Sequence, residues 1–209
     1  RGCIIESGLC QLRPAWTAGR RKRRRPRTAI GFGRLKAGVA NFIEQGSPVE
    51  ASRRTSLVHE LLREGVRATS RREYLEAVVR LLQDWSGCRC VGARVLARDG
   101  YVPYEAYVGF SREFWESENL IVLGRDPCAC TRVIGGCPEP QDAPCLAREG
   151  SFCCNDTQLF VSQLSPAEQA RFRGVCVRMG FASVAVVAMR RLDTILGALH
   201  LADEAPDRF

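Results

Sequence analysis

Apolar residues are densest between positions 183 and 203. Two runs there, Val184–Met189 and Ile195–Leu199, flank the short polar connection Arg190-Arg191-Leu192-Asp193. Runs this short and this rich in Val, Ile and Leu read as strands, and the brief join predicts an antiparallel hairpin. Neither run alternates apolar with polar, as a strand wetted on one side does. The hairpin is therefore expected mid-sheet with both faces covered. Gly197 falls inside the second run, where a missing side chain admits a close neighbour or a ligand.

Further upstream the period changes to that of helices. In residues 52–66, Leu57, Val58, Leu61 and Leu62 share one helical face. His59-Glu60-Leu61 is similar to the start of the phosphoacceptor box of histidine kinases. However, Leu62-Arg63-Glu64 follows instead of Arg-Thr-Pro, and His59 reads as an ordinary helix residue. Ser70-Arg71-Arg72-Glu73 is a capping box, and Tyr74, Leu75, Val78, Val79, Leu81, Leu82 and Trp85 form a wide apolar stripe behind it. Gly87 supplies the stop, so a helix over 71–86 should lie flat on a sheet. Cys90–Leu96 and Tyr104–Val108 read as strands around an Asp99-Gly100 turn, and Ser111 caps a short helix, Arg112–Ser117.

From Asn119 to Cys154 no period holds, and Gly, Pro and Cys dominate. A loop this long within a compact domain is usually functional or disordered. A second capping box, Ser165-Pro166-Ala167-Glu168, opens a helix carrying Phe172, Val175, Cys176 and Met179 and ending at Gly180. The order of elements predicts an α+β fold. A central antiparallel sheet carries helices on one face, and a loop-and-helix lid covers a pocket on the other.

Charge changes the picture only at the amino end. The net +8 comes from residues 1–50, with eleven Lys/Arg against Glu6, Glu44 and Glu50, whereas residues 51–209 hold twenty of each sign. The block Gly19–Arg27 repels itself in any compact form, so residues 1–50 read as a basic, disordered extension or linker. Without aromatic residues among those arginines there is no platform for bases, and nucleic acid is not an expected partner. No apolar run is long enough to span a membrane, and no signal core opens the chain. The chain starts without Met and stops soon after a strand, so residues 51–209 read as a domain truncated at its C-terminal end. Eleven cysteines, an odd number, argue for free thiols, metal or redox use in the cytoplasm rather than a disulfide framework. No Ser-His-Asp, paired-carboxylate or phosphate-loop pattern emerges, and no catalytic site is read in these residues.

Several blocks, in order, resemble one family. They are Glu105–Phe114, Glu118-Asn119, Cys128-Ala129-Cys130, Gly150-Ser151-Phe152 with Asn155, Arg173–Cys176, Ser183–Val187 and Leu196–Asp203. From about residue 55 onward the chain resembles a GAF domain, the PAS-related sensory module of many signalling proteins. More narrowly, it is similar to the cysteine-bearing GAF domains of PAS-containing sensor histidine kinases. Cys153-Cys154 and the stretch 135–147 depart from the family pattern.

The resemblance implies an input module of a two-component sensor histidine kinase that senses a small ligand or redox state. A catalytic kinase domain would then follow Phe209, and the helices within 52–86 would form a homodimer contact. A transcription-regulator module and a cysteine-dependent methionine-sulfoxide reductase of GAF fold are the alternatives. Candidate pocket residues are Tyr107, Phe110, Phe114, Trp115, Phe152, Asn155, Gly197 and His200. Cys128, Cys130, Cys137 and Cys176 are candidates for metal or redox chemistry, with haem, an iron–sulfur cluster or zinc as conceivable cofactors. Structural thiols are the plainer alternative.

Overall fold

The computed structural model describes residues 47–147 and 149–209, so the basic block Gly19–Arg27 and the rest of the first 46 residues lie outside it. Contacts divide the chain into Arg1–Glu50 and Ala51–Phe209, and the whole sheet belongs to the second unit. In chain order the elements are α1 (Pro48–Arg67), α2 (Arg71–Ser86), β1 (Cys90–Val95), β2 (Tyr104–Val108), α3 (Arg112–Glu118) and α4 (Ala129–Gly135). There follow a 3-10 helix (Pro140–Cys145), β3 (Phe152–Cys154), α5 (Thr157–Ser162), α6 (Pro166–Gln169), α7 (Val175–Arg178), β4 (Ser183–Arg191) and β5 (Thr194–Asp203).

The five strands form one antiparallel sheet in the order β2-β1-β5-β4-β3. The expected hairpin is β4–β5, and β5 is the middle strand. Its expected burial holds for only part of its length. Ser183–Val186 and Gly197–Ala202 are covered apart from half-buried Leu199, but Val187 and Leu196 are 41 % and 45 % exposed. Arg190 and Arg191 continue the ladder, so the join shrinks to Leu192-Asp193 and the hairpin tip extends past the layers that cover its base.

Side-chain alternation splits the core into two clusters. Leu75 and Val79 of α2 pack on Val91, Ala93, Ala185 and Leu201. On the opposite face Cys90, Val184, Val186, Ala198 and Ala202 meet Phe114, Ile121, Cys128, Cys130, Val133, Ile134 and Phe160 from the lid. The start of α2 is held by Ser70, whose hydroxyl accepts from Glu73 N–H. Glu73 reaches back to the N–H and hydroxyl of Thr69, one residue earlier than a simple capping box requires. Hydrogen bonds from Thr69 hold its carboxyl below the usual range. Ahead of it, α1 pairs with α2 as an antiparallel hairpin, with Arg53 Nη2 donating to Trp85 O at 3.1 Å.

Two sequence expectations change in the lid. The stretch 119–154 is not structureless, since it contains α4, the 3-10 helix and β3. Its start signal was hidden because Cys128, not a Ser or Asp, occupies the cap of α4. The Cys128 N–H bonds to Thr131 Oγ1 at 3.1 Å, and the Thr131 hydroxyl donates to Asp126 O at 2.7 Å. Conversely, the helix opened by the Ser165 box does not run to Met179. It stops at Gln169 and restarts at Val175, after Gly174 at φ 61°. The break turns Arg173 toward Pro127, whose carbonyl accepts its N–H at 2.8 Å.

Gly197 meets the expectation of a close neighbour, and that neighbour is backbone. A Cβ at this position would lie 2.1 Å from Arg94 O on the paired strand β1. Gly197→Ala should therefore lower the unfolding free energy by about 1–3 kcal/mol, the usual cost of forcing atoms into a filled core. Denaturant melts of the two chains measure this, and equal midpoints would show that β1 and β5 separate there at no cost.

Candidate functional site

An irregularity in the edge pairing determines what faces the lid. Ala106 pairs with Ala93, but Tyr104 pairs with Arg94, so Glu105 is an extra residue on β2. Side chains alternate along a strand, and a one-residue bulge reverses the alternation beyond it. Ala106 thus joins the α2 side of the sheet while Tyr104 joins the lid side. Glu105 itself, left at the bulge, pairs with Arg71 at the start of α2.

The Tyr104 ring then crosses Gly92 on β1, where an added Cβ would sit 2.5 Å from the ring. Gly92 pairs on its other side with His200 of β5, and Tyr104 Oη reaches His200 Nδ1 at 2.7 Å. His200 Nε2 lies 3.8 Å from Cys176 Sγ. Burial, helped by the Arg94 charge, depresses the His200 pKa to about 3, so the ring is neutral at working pH, with one nitrogen donating and the other accepting. Burial likewise keeps the Tyr104 hydroxyl protonated. Phe110 stacks on the imidazole at 5.2 Å and Phe114 stacks on Phe110 at 4.7 Å, closing the group from water.

Arg94 is fully buried beneath this layer. Its Nη1 donates to Val102 O at 2.8 Å and Glu118 O at 2.9 Å, and its guanidinium carbon lies 3.7 Å from the Tyr104 ring centre. The Glu118 carboxylate stands 3.8 Å from Nη2 and accepts from Arg173 Nη2 at 2.6 Å. Arg173 in turn reaches Asp126 at 3.4 Å. Arg94 Nε and Nη2 make no hydrogen bond. Burial works against the guanidinium charge, while the Glu118 carboxylate and an ionised Cys128 favour it.

Between α4, α7 and the sheet lies a cavity of about 20 Å³, bordered by Cys128, Cys130, Cys176, Phe152, Phe160 and Phe172 among others. That volume holds about one water molecule. The cavity's lining is apolar apart from the three thiols and Thr157. Cys130 donates its S–H to Cys128. This bond, with smaller help from the Arg94 charge and the Cys130 N–H, outweighs burial and lowers the Cys128 pKa from 9.0 to about 7. Cys128 is therefore the most readily ionised of the three cavity thiols near neutral pH. Cys130 is pushed well up by the same bond, and burial pushes Cys176 up.

The sequence candidates therefore separate. Cys128, Cys130, Cys176 and Phe152 border the cavity, and His200 reaches it through Cys176. Phe110 and Phe114 lie behind it, in the aromatic layer on His200. Tyr107, 42 % exposed, stacks on Trp115 at 6.2 Å, away from the lining. Asn155 donates to the Phe209 carbonyl at 2.5 Å and accepts the Phe209 N–H at 2.9 Å, so it anchors the C-terminal segment. Gly197 abuts backbone.

Cys137 is exposed beyond the far end of α4, about 10 Å of helix from Cys128. Cys88 and Cys90, spaced as Cys128 and Cys130 are, pack instead in opposite clusters. Among the described residues, no three His, Cys, Asp or Glu side chains are arranged to hold a metal ion. Arg94, Tyr104, Phe160 and Phe172 belong to the site although no motif marks them. A lone charge within the otherwise apolar strand Cys90–Leu96 was the available signal for Arg94.

No protein-family model matches the chain, and no curated protein matches it by sequence. Solved structures do match its fold. The GAF domain of an Acinetobacter phosphoenolpyruvate-protein phosphotransferase superposes with a TM-score of 0.51 at 15% identity, covering 78% of this chain and 81% of its own. Free methionine-R-sulfoxide reductase from Neisseria meningitidis, solved with its substrate, gives 0.54 at 16% identity, covering 79% and 81%. The A. aeolicus nlh2 GAF domain, in an inactive state, gives 0.51 at 10% identity, covering 76% and 83%.

The hydrogen bond between Cys128 and Cys130 has a direct kinetic consequence. Thiolates alkylate and thiols do not, so modification of Cys128 by iodoacetamide should rise with pH about a midpoint near 7. Cys176 should stay slow from about pH 6 to 9. Cys130→Ala should move the Cys128 midpoint upward toward an ordinary thiol. Site-resolved mass spectrometry reads all three, and an unshifted midpoint in the variant would remove Cys130 from the account.

Proposed function

From the GAF fold that this chain adopts, we propose that residues 51–209 are a sensory module whose input is the oxidation state of the lid thiols. One observation carries the reading: Cys128 and Cys130 from the start of α4 and Cys176 from α7 border one small, largely apolar cavity, with Cys128 the most acidic of the three. A cavity with room for about one water suits a peroxide better than a larger ligand, which would need the lid to open. The Cys128 thiolate attacks one peroxide oxygen, the O–O bond breaks, and a sulfenic acid and hydroxide form. A neighbouring thiol then displaces water to give a disulfide. Either product changes the contacts of α4 and α7 and so favours one lid state over another, as a signal requires.

The sequence blocks shared with PAS/GAF sensor kinases support an input role in a two-component sensor histidine kinase, in a reducing, cytoplasmic setting. The test is peroxide treatment of the full chain with a sulfenate-trapping dione. The trap is expected on Cys128, and Cys128→Ser should abolish it without unfolding the chain. Recovery of Cys128 as an intact thiol at peroxide levels that oxidise other cysteines would overturn the reading. A Soret band, or iron, sulfide or zinc in stoichiometric amount, would instead make these thiols haem, cluster or metal ligands.

The same thiols favour a second reading, reduction of a small sulfoxide. Attack on the sulfoxide sulfur, release of the thioether and closure of a disulfide with loss of water would balance. The Neisseria reductase shares the fold. The small cavity places this reading second. Loss of free methionine sulfoxide in the presence of dithiothreitol would raise it to first.

We also infer that α1 carries the contact between two copies of the chain. Leu57 and Leu61 lean toward α2, but Val58, Leu62 and Val66 form an outward stripe, 51 %, 64 % and 87 % exposed, at helical spacing. Between α1 and α2 lies a groove of about 240 Å³ lined by Leu57, Leu81 and Trp85 together with Arg53, Ser56, Glu60 and Asp84. A second copy would cover the stripe and couple the two sensory units through α1. Light scattering should give twice the chain mass, and Leu62→Glu should give a monomer. A wild-type monomer at high concentration would sink the inference.

A further inference from the structure

A second pair of thiols lies outside the cavity lining. Cys145 ends the 3-10 helix and Cys154 ends β3. Between them the chain folds back on itself. Leu146 pairs with Phe152 in an antiparallel bridge, and Ala147 N–H donates to Ser151 O at 2.8 Å. This turn brings the segment of Cys145 back beside β3, and Cys145 packs half-buried against the cluster that contains Cys154 and Phe152. Cys153, next in sequence, points to the other face of the sheet and joins the other cluster. Alternation along β3 thus puts Cys154, and not Cys153, on the face where Cys145 packs.

We propose that Cys145 and Cys154 form a disulfide that latches the 3-10 helix onto the edge strand β3. The pair is already polarised: the Cys145 S–H donates to the Cys154 sulfur, which lowers the Cys154 pKa and raises that of Cys145. Closure requires the two sulfurs to approach to about 2.0 Å, with the Cβ atoms about 3.8 Å apart. The oxidant is a peroxide. The Cys154 sulfur attacks one peroxide oxygen, the O–O bond breaks and Cys154 becomes a sulfenic acid with release of one water. Cys145 then attacks that sulfur, its proton leaves with the departing oxygen as a second water, and the S–S bond forms. Two thiols and one peroxide give one disulfide and two waters. Cys154 is only 3 % exposed, so an oxidant little larger than water suits the first step.

The latch is tied to the cavity. Asp142, in the same 3-10 helix, is buried and accepts from Arg132 Nε at 2.6 Å and Nη2 at 2.7 Å. Arg132 belongs to α4, the helix that Cys128 caps, and lies 5.7 Å from the ring centre of Phe172 on the cavity wall. Fixing the 3-10 helix to β3 therefore fixes the carboxylate that holds α4. The disulfide does not require oxidation of the cavity thiols, so the two proposals fail separately.

The test uses the full chain carrying Cys128→Ser, treated with hydrogen peroxide, blocked with N-ethylmaleimide and mapped without reduction by mass spectrometry. The expected product is a crosslinked peptide joining Cys145 to Cys154, released by dithiothreitol and absent when Cys145→Ser is added. Should Cys128→Ser fail to fold, the same map on the unsubstituted chain reads the same peptide. Recovery of both residues as maleimide adducts, or a crosslink from Cys154 to Cys153 in place of Cys145, would overturn the proposal.

Discussion

The lid is built on one buried charge. Moving a guanidinium out of water costs several kcal/mol even after relaxation, and the cost is offset only where carbonyls, a carboxylate or a ring face surround it. Arg94 has all three: Val102 and Glu118 carbonyls, the Glu118 carboxylate and the Tyr104 ring. Those partners come from the segment before β2, from β2 itself and from the end of α3. Through Glu118 the network extends to Arg173 and Asp126, which fix the segment before α7 beside the start of α4. The same charge that organises the lid also favours the Cys128 thiolate and disfavours a protonated His200. Packing and thiol acidity are therefore not independent here.

The thiols illustrate how hydrogen bonding and burial compete. Burial alone raises a thiol, as at Cys90, pushed up to about 11, and at Cys176. A neighbouring S–H donor reverses the direction at Cys128 and at Cys154, while the donor in each pair moves the opposite way. The chain uses this arrangement twice, once against the cavity and once at the sheet edge. The buried Arg132–Asp142 pair links the two places.

Much of the scaffold was legible beforehand because its signals are local. Ser70 and Gly87 bound α2, Ser111 starts α3, and the unbroken apolar runs mark the hairpin at the middle of the sheet. The site was legible only in part. Cys128, Cys130, Cys176 and Phe152 border the cavity and His200 meets Cys176; the signal for Cys128 and Cys130 was cysteines crowding a Gly- and Pro-rich stretch, unusual whatever the fold. Tyr107 on the edge strand β2, Trp115 on α3, Asn155 just past β3 and Cys137 just past α4 do not border the cavity. Which positions meet at the cavity is fixed by the strand order and the helix ends, neither of which can be read from local signals.

The sequence by itself determined the helices and strands outside the lid, that one face of the sheet takes α2, and that the other is covered by a cysteine-bearing lid. Periodicity, caps and apolar runs act over a few residues, and their energetics do not depend on what lies across the sheet. Tertiary structure alone decided the rest. The extra residue at Glu105 turns Tyr104 to the lid, the absent side chain of Gly92 lets its ring cross to His200, and Gly174 breaks a helix so that Arg173 can reach Glu118. Each of these depends on a partner distant in sequence, so it is set only when the strands pair and the buried charge finds its carboxylate.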